Sequence, residues 1–484
     1  MSDPLLKKYY GEYDYDDDGN DFIDEAEIER AMQENTSPSR ERIKGIFTRA
    51  LSLERLSLDD TAALLNVEND ELLEEMHRTA YEVKQKVYGN RIVFFAPLYI
   101  SNECINNCIY CGFRCSNREI ERKTLTADEL KEEVEILEEM GHKRLILVYG
   151  EHPKFDIGRM VDTIKTVYSV KKGKGEIRRV NINAAPMTTG HMRRLKEAGI
   201  GTYQVFQETY HHETYHRVHP KNTIKGNYKW RVTALDRAQD AGVDDVAMGV
   251  LFGLYDWKFE VLAMMMHATH LEEKYNGVGP HTISFPRLEP AIGTPFTLKP
   301  EYQVSDADFK KVVAAIRLSV PYTGMILTAR EPAALRDEFL TIGITQIDAG
   351  SHIGLGGYKE FMTQGDATRK EQFVLNDPRS LDEMMAEVFR SGQITSFCTA
   401  GYRCGRTGET IMDLLKCGGV KTYCMPNAIL TTMEYLLDYA SPETKKLGIA
   451  QIEKEIGALP EGNLKDITAE YLERIKRGER DLYL

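Results

Sequence analysis

Apolar residues fall at helical spacing from Ser37 to Tyr88, with Leu64, Leu65, Leu72 and Leu73 marking a stripe that predicts burial. Gly89 supplies the stop. The period then changes. Arg91–Ile100 is a strand-length apolar run, and Thr126 with Glu129 makes a capping box for a helix carrying Leu130, Val134 and Leu137. Gly141 closes that helix ahead of a second apolar run, Leu145–Tyr149. The order helix, glycine, strand returns in Met192–Ala198, Gly199 and Tyr203–Phe206, and again in Val232–Ala241, Gly242 and Val246–Phe252. Val180–Asn183, Thr282–Leu288, Met325–Thr328 and Thr345–Ile347 bring the predicted strands to eight.

Strands alternating with helices predict parallel βαβ units, and eight of them an α/β fold of the (β/α)8 TIM-barrel type, with a doubly wound open sheet as the alternative. After Gly357 the alternation stops and the chain reads as mostly helical. The expected organisation is an acidic leader over 1–36, an N-terminal helical region over 37–90 and the barrel over 91–370. A mainly helical C-terminal domain over 371–484 carries a second group of cysteines.

Charge and length narrow the partners. A formal charge of −13 argues against a nucleic-acid footprint, which needs clustered Lys and Arg. The first residues lack an apolar signal region, and no stretch approaches the ~18 uninterrupted apolar residues of a membrane span, so a cytoplasmic protein without membrane contact is expected. In the leader, Asp14, Asp16, Asp18, Gly19 and Glu25 have the spacing of a calcium loop, but Asp21 takes its apolar position and no incoming helix precedes it. A solvated leader running into a helix at Glu25–Met32 is the expected reading.

The cysteines change the picture most. They form two tight groups, 104, 108, 111, 115 and 398, 404, 417, 424, which in a reducing compartment read as metal ligands before disulfides. Cys104, Cys108 and Cys111 directly follow the first barrel strand, at the face where barrels place their chemistry. Three thiolates can hold three irons of a 4Fe-4S cubane and leave the fourth iron open, whereas an electron-transfer cluster takes four cysteines. Cys115 could supply a fourth thiolate, and a zinc knuckle is the rival reading, although four cysteines within so few residues crowd a tetrahedral structural site.

The CxxxCxxC pattern with Tyr110 before its last cysteine resembles the signature of the radical S-adenosylmethionine (SAM) superfamily. That resemblance implies SAM chelated at the open iron, Tyr110 beside the adenine, and cleavage of SAM to a 5′-deoxyadenosyl radical. Tyr149-Gly150-Glu151 resembles the motif that holds the methionine amino group, with Tyr149 in place of its first glycine. Longer stretches, among them MGHKRLILVYGE, GVGPHTISFPRLEP and EYLLDYASPET, resemble the HydG-type tyrosine lyases of FeFe-hydrogenase maturation, relatives of the ThiH and NosL lyases.

The resemblance implies cleavage of the Cα–Cβ bond of tyrosine to p-cresol and dehydroglycine, then carbon monoxide and cyanide formation at a second Fe-S cluster. It further implies a one-electron donor such as flavodoxin or ferredoxin, and other hydrogenase maturases as partners. Arg330, after a predicted strand, lies in a stretch resembling the segment that binds the substrate carboxylate, a role suited to a guanidinium fork; a salt bridge to Glu331 or Asp337 is the structural alternative. Glu208, ending the fourth strand, is a SAM contact or a turn-capping carboxylate.

The second group departs from the family pattern Cys-x2-Cys-x22-Cys. Cys398 and Cys424 match it, but Gly401 stands at the middle cysteine. Two readings stay open: a rearranged cluster on Cys398, Cys404 and Cys424, or a lyase that stops at dehydroglycine, as in thiazole synthesis. A non-catalytic iron-sulfur carrier is a third. For the further iron that such enzymes hold partly through a histidine, His267 is the chosen candidate, with His270 and His281 as rivals. Met264, Met265 and Met266 point to different helix faces and are expected to pack.

Overall fold

The structure is a computed structural model describing residues 4–10, 21–364 and 371–484. The calcium-loop positions Asp14, Asp16, Asp18 and Gly19 lie outside the described residues; Glu25 instead opens the helix Glu25–Glu34 behind the N-cap Asp24.

Nine parallel strands build the core: β1 (Arg91–Ser101), β2 (Arg144–Tyr149), β3 (Arg179–Asn183), β4 (Tyr203–Gln204), β5 (Val246–Gly249), β6 (Thr282–Ser284), β7 (Gly324–Leu327), β8 (Gln346–Asp348) and β9 (Ile394–Ser396). Each pairs with the next from β2 to β8, and β1 closes the ring by pairing with both β8 and β2, so the sheet is a barrel and the open-sheet alternative falls. Every residue of β1 is buried, as expected of a strand covered on both faces. The predicted capping box forms, with Thr126 and Glu129 each bonded to the other's backbone. Gly141, Gly199 and Gly242 all sit at positive φ, where helices end without the penalty a Cβ carries.

Three differences from the sequence pattern matter. The strands after β3 are short; the predicted run Tyr203–Phe206 keeps two residues of regular pairing, because the barrel's upper half hands over to loops that form the site. The predicted helix Val232–Ala241 is two pieces, Tyr228–Val232 and Ala234–Asp240, meeting at Thr233. Most consequential, the C-terminal region supplies a strand: β9 runs parallel to β1, matching Arg91–Val93 to Ile394–Ser396. The length of β1 follows from this, since Arg91–Val93 meets β9 while Ala96–Ser101 meets β2.

Helices Arg40–Leu51, Leu58–Leu65 and Asp70–Tyr88 pack on the barrel's outer helices, with Leu64, Leu65 and Leu72 buried and Leu73 partly so. Met264 and Met265 are core residues. Among the described residues no helix is long and apolar enough to cross a membrane.

Candidate active site

The end of β1 leads straight into the cysteine loop, and the structure brings Cys104, Cys108 and Cys111 to the wall of one cavity of about 210 Å³ at the C-terminal mouth of the barrel. Cys115 is exposed and stands outside that wall. Burial pushes the Cys104 thiol up to about 11 and the Cys108 thiol up to about 12, so protons must leave as metal binds. Three sulfurs on one wall, beside space for a ligand, fit a cubane with one open iron better than a closed four-thiolate site.

The loop is locked to the end of β2. Gly150 donates its N–H to the Ser101 carbonyl at 2.8 Å, and a Cβ at this position would lie 2.3 Å from the Glu103 carbonyl oxygen. That close approach explains why glycine stands there. Glu151 Oε2 accepts from the Asn106 side-chain amide at 2.5 Å, and the Asn106 backbone N–H points at Cys104 Sγ, 3.4 Å away. The Tyr110 hydroxyl is 2.7 Å from His219 Nε2, which fixes the ring edge-on to that imidazole at the cavity wall.

Glu208 sits at φ 75°, a left-handed conformation rare outside glycine and a form of backbone strain that clusters at functional positions. Its carboxylate takes Lys225 Nζ at 2.7 Å and Arg231 at 3.5 Å. Burial alone would raise its pKa, but these two cations outweigh it and hold the group below the usual carboxylate range. Lys225 and Arg231 also line the cavity. They and Asn106 escape the sequence reading because Lys225 and Arg231 lie in helical pieces of three and five residues, too short to show a period, and Asn106 lies between cysteines.

Arg330 also lines this cavity. Its guanidinium stacks on Phe373, 3.4 Å from the ring centre, while Glu331 pairs with Arg287 and Asp337 with Arg379. Among the described residues no carboxylate pairs with Arg330, so the salt-bridge alternative loses its partners. A half-buried cation facing a cavity, with no carboxylate paired to it among the described residues, suits an incoming carboxylate.

A second chamber lies at the other end of the barrel. The first residues of β1, β2 and β3 are Arg91, Arg144 and Arg179. Arg179 bonds Asp245 at 2.6 Å and reaches Cys398, just past β9, with 3.1 Å to its carbonyl oxygen and 3.7 Å to its sulfur. Cys424, in the helix Val420–Asp438, shares this small cavity with Cys398 and Gly401. Burial opposes a charge on Cys398, yet Arg179, Arg91 and Arg144 pull its thiol pKa down.

Cys404 and His267 are not brought to this chamber. Cys404 is exposed, its sulfur 3.9 Å from the Leu484 carbonyl oxygen, because the turn Tyr402–Cys404 carries it outward. His267 lies buried in the helix Trp257–Lys274, its Nδ1 2.7 Å from the Tyr210 hydroxyl and its ring against Phe22, with no cysteine beside it; burial holds its pKa down to about 3. His270 pairs with Asp236. His281 sits beside the Arg179–Asp245 pair, 3.9 Å from Asp245, with a buried Nδ1 that has no hydrogen-bond partner. The thiols present do not fit a three-cysteine cluster, because Gly401 offers none.

Comparison with known proteins agrees with this geometry. The Radical SAM superfamily pattern matches residues 98–267, and that of the Biotin and Thiamin Synthesis associated domain matches residues 284–394. The 2-iminoacetate synthase of Escherichia coli strain K12 is 31% identical over 350 residues, covering 71% of this chain and 87% of that protein. A crystal structure of HydG, a maturase of the FeFe-hydrogenase, superposes with a TM-score of 0.92 at 48% identity, covering 96% of this chain and 100% of that one.

The chain belongs to the HydG family of radical SAM enzymes.

A second HydG, from Carboxydothermus hydrogenoformans, is 38% identical with a TM-score of 0.79, covering 93% of this chain and 98% of that one. Membership in the HydG family implies a 4Fe-4S cluster and SAM, which the three-cysteine cavity can accept.

Proposed function

We propose that this chain is a radical SAM carbon–carbon lyase that cleaves the Cα–Cβ bond of L-tyrosine, giving p-cresol and dehydroglycine for hydrogenase maturation. The observation that carries the reading is one cavity joining three thiols, the Gly150–Glu151 turn and an Arg330 without a carboxylate partner among the described residues. Cys104, Cys108 and Cys111 would hold the cluster. With SAM bound there, the pair would supply hydrogen-atom abstraction, the difficult part of the chemistry.

The chain's own residues bind and aim. Arg330 would take the tyrosine carboxylate, and Glu151, steadied by Asn106, would accept from the SAM amino group. Glu208, held ionised by Lys225 and Arg231, presents charge to the cavity, and Tyr110 gives a flat apolar face. The barrel wall keeps water away from a reactive species formed between them. A one-electron donor such as flavodoxin or ferredoxin would deliver its electron at this mouth.

A second reading has one specific observation in its favour: Gly401 at the floor chamber. It is a lyase whose product is dehydroglycine alone, without carbon monoxide or cyanide. Anaerobic product analysis of reduced, reconstituted enzyme with SAM and tyrosine tests both. p-Cresol with cyanide supports the maturase reading and p-cresol alone the second; no 5′-deoxyadenosine would leave a non-catalytic carrier.

A further inference from the structure

The beginning of the chain reaches into this site. In the short helix Pro4–Tyr10, Leu6 is fully buried against Ile224 and Trp230, and Ile105 of the cysteine loop packs on the same cluster. The Tyr10 ring lies 5.3 Å from Trp230. From this anchorage the Tyr10 hydroxyl is 3.2 Å from Glu151 Oε1 and 3.0 Å from the Pro186 carbonyl oxygen. The two carboxylate oxygens of Glu151 therefore have different neighbours, Asn106 at Oε2 and Tyr10 at Oε1.

Glu151 also divides two cavities. On one side is the space faced by the three thiols; on the other is a space of about 110 Å³ lined by Tyr9, Tyr10, Phe155, Met187 and His191. A glutamate side chain between two voids has several rotamers open to it, each presenting the carboxylate differently. Packing alone does not choose among them. Directional hydrogen bonds do: Asn106 fixes one oxygen from the cysteine loop, and the Tyr10 hydroxyl, its one proton shared between Glu151 Oε1 and the Pro186 carbonyl oxygen, meets the other from behind. A carboxylate has about four acceptor positions, so two donors leave acceptor capacity for a third on the thiol side.

We propose that Tyr10 is a positioning residue of the SAM site: its hydroxyl sets the Glu151 carboxylate, and the helix that carries it lines the space behind. Glu151 is thereby aimed at an ammonium group in the thiol-lined cavity. The inference rests on the proposed role of Glu151 in binding SAM and adds a residue to it from a part of the chain outside the barrel.

The experiment uses full-length, reconstituted enzyme carrying Tyr10→Phe, Glu151→Gln or both, with SAM binding read from the electron paramagnetic resonance of the reduced cluster and from KM. Tyr10→Phe keeps the ring and its packing on Trp230, so loss of the hydroxyl is isolated. The expected result is a rise in the SAM dissociation constant and KM on the order of ten-fold, the size of a hydrogen bond to a charged group, with a smaller fall in kcat. In the Glu151→Gln background the same change is expected to add less than about two-fold, since the charge that Tyr10 sets has gone. Unaltered SAM binding in Tyr10→Phe, or a full additive loss in the double variant, overturns the inference. If Glu151→Gln impairs SAM binding while Tyr10→Phe does not, the Glu151 reading survives and this one falls. If neither affects it, both fall.

Discussion

The Asn106 side chain joins three parts of the chain: its amide donates to Glu151 Oε2 at 2.5 Å while its carbonyl oxygen accepts the Lys225 backbone N–H at 3.0 Å. The cysteine loop, the end of β2 and the segment behind Glu208 are thus tied at one residue. Asn106→Asp keeps the acceptor and replaces the donor by a second carboxylate against Glu151. Two like charges at such range repel by roughly 7 kcal/mol at an effective dielectric of about 20. We expect Asn106→Asp to weaken SAM binding at least ten-fold more than Asn106→Ala, measured by anaerobic titration. Equal effects would show that the amide only fills space.

Arg330→Lys retains the charge but loses the planar fork and the stacking on Phe373. The expected outcome is a rise of about ten-fold or more in KM for tyrosine, with KM for SAM within about two-fold of wild type. Steady-state p-cresol formation measures both. A change confined to SAM would move Arg330 from the substrate to the cofactor.

At the floor chamber, Gly401 has helical backbone angles, φ −50° and ψ −55°, and a Cβ there would meet nothing closer than the Arg406 carbonyl oxygen at 3.9 Å. A cysteine fits without strain beside Cys398 and Cys424. Gly401→Cys should raise bound iron from about four to about eight per chain on reconstitution. Wild-type protein that already holds about eight, and loses half on Cys404→Ser, would contradict the two-thiolate floor.

The barrel and its first cysteine group were legible because their signals are local. The capping box at Thr126, the glycines after helices and the CxxxCxxC spacing each sit within one or two turns of chain. Cys398 and Cys424 were grouped from sequence, but the rest of the floor chamber was not legible, since it gathers first residues of separate strands, Arg91, Arg144 and Arg179, around a cysteine just past a three-residue strand and one in a later helix. The family resemblance favoured His267 and closeness in sequence favoured Cys404; the fold instead puts His281 beside the Arg179–Asp245 pair and leaves Cys404 at the surface. Tyr10 carried no sequence signal, because nothing local links it to Glu151, 141 residues away.

His212 anchors the leader's helix, with Nε2 2.9 Å from Asp21 and Nδ1 2.6 Å from Glu25. Burial would lower its pKa, but the hydrogen bonds and charges of Asp21 and Glu25 prevail and raise it. A raised folded-state pKa gives stability that is fully present below the free imidazole's value of 6.5 and is lost as pH rises through the folded value. Hydrogen exchange of residues 21–34 should therefore accelerate from pH 6 to pH 8, after correction for intrinsic rates, and His212→Gln should flatten that dependence. A pH profile shared by wild type and variant would exclude the imidazole as the anchor.

The most direct test of the account is the product yield of four single cysteine variants, under strictly anaerobic conditions with SAM, tyrosine and a one-electron reductant. Cys104→Ser, Cys108→Ser and Cys111→Ser should each abolish 5′-deoxyadenosine and p-cresol, while Cys115→Ser should form both at close to the wild-type rate. Loss of both products in Cys115→Ser, or zinc in place of iron at the first group, would contradict a cluster held by three thiolates with one iron open.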